Sequence, residues 1–271
     1  MIAASQSLRS NKHIRLRPIA LPVEHGGWSL LLEPIALGLL LAPSRSGALL
    51  SVSAVALFLA RHPGKLAIND WRNGRRGQRT KLAQGFALAY FLVAVLAAAL
   101  AIKIGGMAFL FPLGLAAPFL IIQSAFDAVN RSRSLVAELA GSIATGSMAS
   151  AIAISGGWPR SAAFALWAIM AARSAPTILY LRARLRLMRQ RPASSGIAIA
   201  AHLFALLAVL CLAWSGLAPW LGVLAMGVLL VRAFLGLLSS RPVTPQRLGV
   251  GELLFGIFAV ASVFLGYRWG W

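Results

Sequence analysis

The chain has 271 residues, of which 59% are hydrophobic and only 12% are charged, and its mean hydropathy is +0.79. Soluble domains are about 45–50% apolar with about 25% charged residues, so this composition excludes an ordinary soluble domain and predicts a polytopic membrane protein. The net charge of +20 does not indicate a nucleic-acid partner, because the basic residues are confined to short segments between long apolar runs. A single cysteine, Cys211, excludes a disulfide framework.

Long apolar runs follow a polar and basic start. We interpret residues 1–24 as a basic cytoplasmic segment and residues 25–271 as a single transmembrane domain. A spanning helix needs about 20 apolar residues, and a segment in lipid must satisfy its own backbone hydrogen bonds, so the fold is predicted to be all-α with nine spans. The predicted spans cover approximately residues 26–43, 47–68, 83–103, 106–126, 135–155, 158–180, 196–215, 217–238 and 250–268.

Lysine and arginine are distributed unequally between alternate loops. Twenty of the 26 fall on the side of the amino terminus, whereas the other side has only Arg45, Lys103, Arg160 and Arg268. Because cytoplasmic loops carry the excess of positive charge, the amino terminus is predicted to be cytoplasmic and, with nine spans, the carboxyl terminus outside. The loops after the second and sixth spans carry most of this charge, so we expect the function on the cytoplasmic face.

The first span begins in the stretch VEHGGWSLLLEP, residues 23–34, and contains two candidate functional residues. His25, beside Glu24, is a candidate for proton handling or ligand binding, with anchoring at the membrane interface as the alternative. Glu33 precedes Pro34 inside the span. An ionisable residue there costs about 2.5–3.5 kcal/mol on insertion scales, which makes Glu33 a functional candidate.

Three more ionisable residues, Glu138, Arg173 and Arg232, lie within predicted spans. Glu138 is about one turn inside the fifth span and Arg173 about two turns before the end of the sixth, so the two are expected at similar depths and could form an ion pair. The alternative is that such pairs only hold helices together. Arg232 has no obvious partner and is expected to be structural or to extend towards the interface. His202 is interpreted as a packed histidine.

The stretch LAINDWRNGRRGQR, residues 66–79, places one of the six acidic residues inside the densest basic cluster. On a helix, Asn69, Asp70 and Asn73 can form a small polar face. The cations that follow are Arg72, Arg75, Arg76, Arg79 and Lys81. They are too many for Asp70 to neutralise, so we expect lipid phosphates, a diphosphate or ligand carboxylates as counter-ions, with Asp70 orienting an arginine or acting as a base. An unliganded positive-inside loop is the alternative.

Three stretches resemble one bacterial family. They are EHGGWSLLLEPIALGLLL near the start, RSRSLVAELAGSIATGSMASAIAISGG in the middle, and RSAPTILYLRARLRL later in the chain. The chain resembles the YwiC-like family of bacterial membrane proteins along most of its length. This resemblance implies a multi-pass protein of the bacterial inner membrane and implies no particular chemistry.

The nine helices and the two basic cytoplasmic loops are also similar to the UbiA-type intramembrane prenyltransferases. In that superfamily the second helix ends in Asn-Asp-x-x-Asp-x-x-x-Asp, whose carboxylates hold Mg²⁺ against a prenyl diphosphate. This chain has Asn69, Asp70, Asn73 and Gly77 at those positions, and arginines of TILYLRARLRLMRQR stand where the second Asp-rich motif is expected. Because Mg²⁺ is held by carboxylates and phosphates, it is disfavoured as a cofactor here. The resemblance implies a UbiA-like bundle with a basic cytoplasmic cap.

These observations predict that the protein binds or modifies an amphiphile with an anionic head group: a prenyl diphosphate, a quinone precursor, haem or a phospholipid. Whether it is an enzyme is left open, with Asp70 and Glu138 as the candidate catalytic residues. The candidate substrate-binding residues are Asn69, Arg72, Asn73, Arg76, Arg173, Tyr180, Arg182 and Arg184, and the further candidates are His25, Glu33 and Asp127. Two alternatives remain: a non-catalytic membrane partner or assembly protein that docks another protein on its basic face, and a transporter with a polar path through the spans.

Overall fold

The computed structural model describes residues 16–21, 26–239 and 243–270. All regular secondary structure in these ranges is α-helical, as predicted. The helices are α1 (Arg17–Ala20), α2 (Gly26–Leu41), α3 (Arg45–Arg72), α4 (Gln78–Gly105), α5 (Leu110–Ala128), α6 (Leu135–Ser155), α7 (Arg160–Met188), α8 (Ser195–Trp214), α9 (Trp220–Leu238) and α10 (Pro245–Trp269).

Helices α2 to α10 follow the nine predicted spans in order. Eight of them, α3 to α10, are long and apolar enough to cross a membrane, which confirms a multi-pass membrane protein. Helix α2 has 16 residues. At about 1.5 Å per residue it is about 24 Å long, somewhat shorter than the hydrocarbon core of about 30 Å. Within the described residues, the predicted nine spans therefore become eight full-length candidates and one shorter apolar helix.

Helix α6 lies at the centre of the bundle, where its small residues let neighbouring helices approach closely. Ile152 of α6 is fully buried against α2, and a side chain at Gly38 of α2 would collide with it. Leu166 and Ile169 of α7 belong to the same core and are also fully buried. By contrast, α4 and α5 keep most of their apolar surface outside the bundle, as expected for helices that face lipid.

The ends of the bundle differ sharply in charge. At one end, Ser44 lies 3.3 Å from Ser155, and Ser46 donates a hydrogen bond to the carbonyl of Ala101. The other end is formed by the C-terminal ends of α3, α5 and α7 and the N-terminal ends of α4 and α6, which are joined by ion pairs and hydrogen bonds described below. We call this second end the basic end.

Candidate functional site

Asp70 lies in the hairpin between α3 and α4 and closes its turn. The carboxylate is only 4% exposed, and the Thr80 hydroxyl donates to its Oδ2 at 3.0 Å. The backbone amide of Arg75 donates to the Asp70 carbonyl at 2.8 Å, and Gly74 allows the turn because its φ of 67° lies in the left-handed region. Asp70 thus organises the backbone that carries the arginine cluster.

A bidentate ion pair joins α3 to the end of α5. Arg61 donates from Nε to one carboxylate oxygen of Asp127, and its Nη2 lies 3.0 Å from the other. Asp127 is 9% exposed, and its partner Arg61 lies about three turns before the C-terminal end of α3. A fork of this kind fixes both distance and orientation, so it sets the position of the α5 terminus.

The remaining polar residues of the stretch 69–73 contact the end of α5, the loop after it, and one another. The Arg72 guanidinium donates to the carbonyl of Ala128. Asn130 donates its side-chain amide to Asn69 Oδ1 at 3.1 Å, and Asn73 donates to the carbonyl of Asn69 at 2.8 Å. Asn69 and Asn73 of the predicted polar face are therefore in contact, and Arg72 binds the end of α5 beside them. Arg76 is exposed in the same hairpin.

The loop between α5 and α6 forms one wall of an open cleft. Asn130 adopts a left-handed conformation with φ of 56°, which asparagine tolerates, and Lys65 of α3 donates to the Ser132 hydroxyl at 2.8 Å. Ser134 caps α6 by accepting from the amide of Ala137. The cleft has a volume of about 480 Å³ and is lined by Lys65, Asn130, Arg131, Ser132, Arg133 and Ser134.

Sequence reasoning missed this cleft. It weighed the two most basic loops, those between α3 and α4 and between α7 and α8, and used Arg131 and Arg133 only to orient the chain. The available signal was the run NRSRS, residues 130–134, in which cations alternate with hydroxyls directly before a helix.

Glu138 is paired with Arg182, at a distance of 2.7 Å, and each side chain is about one-third exposed. The same Arg182 nitrogen donates to the carbonyl of Arg133 at 3.0 Å. The expected pair between Glu138 and Arg173 is therefore wrong. The two arginines are nine residues apart on α7, or about 14 Å along its axis, so Arg173 lies far deeper than Glu138.

Arg173 lies instead in a buried network at the middle of the bundle. Its Nη2 is 3.0 Å from Glu33 Oε1 and 3.1 Å from the carbonyl of Glu252, and its Nη1 donates to Thr177 at 2.9 Å. Arg173 is 2% exposed and Glu33 is 7% exposed. Gly256 of α10 makes this contact possible, because a Cβ there would overlap both the Glu33 carboxylate and the Arg173 guanidinium.

Arg232 belongs to the same network, which confirms the structural alternative and shows that extension towards the interface is wrong. Its Nη2 lies 2.5 Å from Glu252 Oε2, and its guanidinium stacks over Tyr180 at 4.2 Å and over Phe255 at 5.0 Å. Sequence reasoning did not consider Glu252, an acid just inside the last predicted span. Because α9 and α10 are adjacent, this acid draws Arg232 inwards rather than towards the interface.

Tyr180 therefore lies in the buried network, and its ring meets that of His202 edge-on at 6.5 Å. His202 is 3% exposed and its Nδ1 is 2.8 Å from the carbonyl of Ala198, which confirms it as a packed histidine. Arg184 is also buried and donates to the carbonyl of Ser239. His25 lies outside the residues that the structure describes.

The residues that the UbiA resemblance implies for Mg²⁺ do not fit that ion. Asp70 is buried against Thr80, Asn69 is bonded to Asn130, and arginines stand at the second motif. Across residues 16–21, 26–239 and 243–270, no three His, Cys, Asp or Glu side chains are grouped so that they could hold a metal.

Comparison with curated proteins and with solved structures gave no match. Residues 21–153, which contain α2 to α5, most of α6 and the cleft, match the family model described as YwiC-like protein, and this confirms the family resemblance for that part of the chain.

Proposed function

We propose that this multi-pass membrane protein binds an amphiphile with a phosphate or diphosphate head group at its basic end. The observation that carries the proposal is the cleft of about 480 Å³ between α3 and the loop from α5 to α6, with Lys65, Arg131 and Arg133 in its lining. Arginine and lysine donate charge-assisted hydrogen bonds to phosphate oxygens, so these side chains can bind such a head group without a metal ion.

The lining of the cleft consists of basic and polar residues. None of the five acidic residues in the described part of the chain lines it. The two nearest, Asp127 and Glu138, are held by Arg61 and Arg182. The N-terminus of the 21-residue helix α6 adds its partial positive charge at Ser134, which favours an anion at the same place.

The surroundings suit a lipid rather than a soluble anion. The cleft lies at the end of helices long and apolar enough to cross a membrane, next to the end of α5, a helix with little of its surface buried. Trp71, which is 66% exposed at the end of α3, is the kind of residue that sits at the level of the head groups. A head group can therefore reach the cleft while its chains stay in the bilayer.

We also infer how the protein is oriented in the membrane and which helical scaffold it has. With the excess of cations on the cytoplasmic side, the basic end faces the cytoplasm from a bacterial inner membrane, the amino terminus lies inside and the carboxyl terminus outside. The scaffold is a UbiA-like bundle adapted to binding. Asp70 is buried in its hairpin and Glu138 is held by Arg182. Both carboxylates therefore have a structural role, and the proposed binding requires no chemical step from them.

Two paired variants test the proposal by native mass spectrometry of the detergent-purified protein with phosphatidic acid and phosphatidylcholine. Arg131→Gln with Arg133→Gln removes two charges from the cleft. Arg75→Gln with Arg79→Gln removes two charges from the exposed hairpin and is the matched control. Since hydrogen bonds to charged groups contribute about 1.5–3 kcal/mol each, the cleft pair is expected to weaken phosphatidic acid binding roughly tenfold or more.

Selective binding of phosphatidic acid that survives in the hairpin pair and is lost in the cleft pair is the expected result. Equal loss in both pairs would show only a basic surface and would favour docking of an acidic protein partner. Stronger retention of a carboxylate amphiphile, such as haem, than of the phospholipid would replace the phosphate by a carboxylate as the ligand.

A further inference from the structure

A small cavity lies between α2, α6 and α7, deep inside the bundle and away from the basic cleft. Its volume is about 10 Å³, and it is lined by Leu30, Glu33, Pro34, Ser142, Gly146, Met170 and Ser174. A cavity of about this size holds one water molecule, provided that it offers two to four polar partners.

The lining supplies those partners. The hydroxyl of Ser142 donates to the carbonyl of Leu139, and that of Ser174 to the carbonyl of Ala171, so both oxygens keep lone pairs that can accept from water. Pro34 has no amide hydrogen, so the Leu30 carbonyl receives no bond from residue 34 inside α2. Glu33 is the acidic residue of the same lining.

We propose that this cavity is a hydrated proton-exchange site, in which one bound water delivers protons to the carboxylate of Glu33. The site is independent of lipid binding at the basic end. In the exchange, an O–H bond forms on the Glu33 carboxylate as one breaks on the bound water, and the water regains its proton from solvent at the basic end.

A line of residues on α6 connects the cavity with that end. Glu138, Ser142 and Gly146 are spaced four residues apart, so they lie on one face of the helix. Glu138 is one-third exposed at the basic end, and Ser142 and Gly146 line the cavity one and two turns deeper. Along this face, the Glu138 carboxylate and the Ser142 hydroxyl lie between solvent and the cavity that contains Glu33.

The opposite direction is closed by packed apolar side chains. Leu37, Ile152 and Leu166 are fully buried in the core that continues from the cavity towards the other end of the bundle. Protons therefore enter and leave from one side, which describes a protonation site rather than a transmembrane path.

Several charged groups surround Glu33. Arg173 of α7 holds its Oε1, Glu252 of α10 offers its carbonyl to the same Arg173 nitrogen, and Arg232 of α9 pairs with Glu252. His202 of α8 lies against Tyr180 in the same network, and Glu138 is the acid on α6. Protonation of Glu33 removes its negative charge, and Arg173 keeps its hydrogen bond to the Glu252 carbonyl. The ion pair between α2 and α7 is then lost.

Infrared difference spectroscopy after a pH jump tests the site in detergent-purified protein. The wild type is expected to show a reversible carboxylic-acid band on acidification that is absent in Glu33→Gln. Ser142→Ala with Ser174→Ala removes two partners of the water and should slow the appearance of the band roughly tenfold. Ser147→Ala with Ser150→Ala, two buried serines of α6 outside the lining, is the control and should leave the rate unchanged.

The proposal is overturned if no band depends on Glu33 over the pH range in which the protein stays folded. It is equally overturned if both serine pairs give the wild-type rate. Ser142→Ala alone carries the same comparison with Ser147→Ala alone if the double variants do not fold.

Discussion

Glu33 on α2 and Arg173 on α7 form an ion pair of 3.0 Å although they are 140 residues apart in the sequence. Both side chains are almost completely buried, and Arg173 also donates to Thr177 and to the carbonyl of Glu252. Through Glu252, which pairs with Arg232, the contact extends to α9. These contacts connect the short helix α2 with the longer helices α7, α9 and α10.

Removing both partners of this pair is expected to cost less stability than the sum of the two single removals. Arg173→Gln leaves the Glu33 carboxylate buried without its counter-ion and should lower the free energy of unfolding by about 3–5 kcal/mol. Glu33→Gln with Arg173→Gln should cost less than the sum of the two single changes. Thermal unfolding of all three variants in one detergent measures this, and strictly additive losses would contradict a direct interaction.

Gly256 is expected to be essential for the same contact. Gly256→Ala places a methyl group where the Glu33 carboxylate and the Arg173 guanidinium lie, and should cost about 1–3 kcal/mol of stability. Gly251→Ala on the same helix meets open space and should be neutral or stabilising, since alanine favours helix over glycine by about 0.5–1 kcal/mol. The difference between the two unfolding temperatures is the measurement, and equal temperatures would argue against close packing at Gly256.

The helices could be predicted from hydropathy because lipid forces each long apolar run to satisfy its backbone hydrogen bonds internally. Their ends were less predictable. Helix α7 continues to Met188 and α3 to Arg72, beyond the predicted spans, because a helix that leaves the membrane can extend into water with basic side chains. Pro63 and Pro176 lie inside these helices and do not end them.

The pairing of charges could not be predicted because sequence gives depth along one helix but not which helices are neighbours. Glu138 has a cation at its own level on α7, Arg182, and the sequence analysis chose the deeper Arg173. Arg232 turned inwards for the same reason: its partner, Glu252, becomes close only when α9 and α10 pack together. The hydrogen bond from Thr80 to Asp70 is easier to predict from sequence, since the two residues flank a single short turn.

Thr80→Val is expected to loosen the hairpin between α3 and α4. The change keeps the shape of the side chain but removes the hydroxyl that donates to the buried Asp70, and an unsatisfied buried acceptor costs about 1–3 kcal/mol. Trypsin cleavage after Arg75, Arg76 or Arg79, all exposed, should therefore become roughly tenfold faster under native conditions.

Gln78→Ala, an exposed change in the same hairpin, is the control and should cleave at the wild-type rate. Faster cleavage in Gln78→Ala as well would show that the hairpin opens regardless of Asp70. An unchanged rate in Thr80→Val would mean that Asp70 does not hold the turn.

An anionic lipid in the cleft is expected to stabilise the folded protein. A ligand present at 100 times its Kd and bound only by the native state adds about 2.7 kcal/mol, so phosphatidic acid should raise the unfolding temperature by several degrees, whereas phosphatidylcholine should not. The shift should shrink as salt is added, because the head group is held by exposed cations such as Arg131 and Arg133. It should disappear in Arg131→Gln with Arg133→Gln and persist in Arg75→Gln with Arg79→Gln. A shift that is independent of salt and equal in both variant pairs would locate the stabilising lipid on the apolar faces of the helices rather than in the cleft.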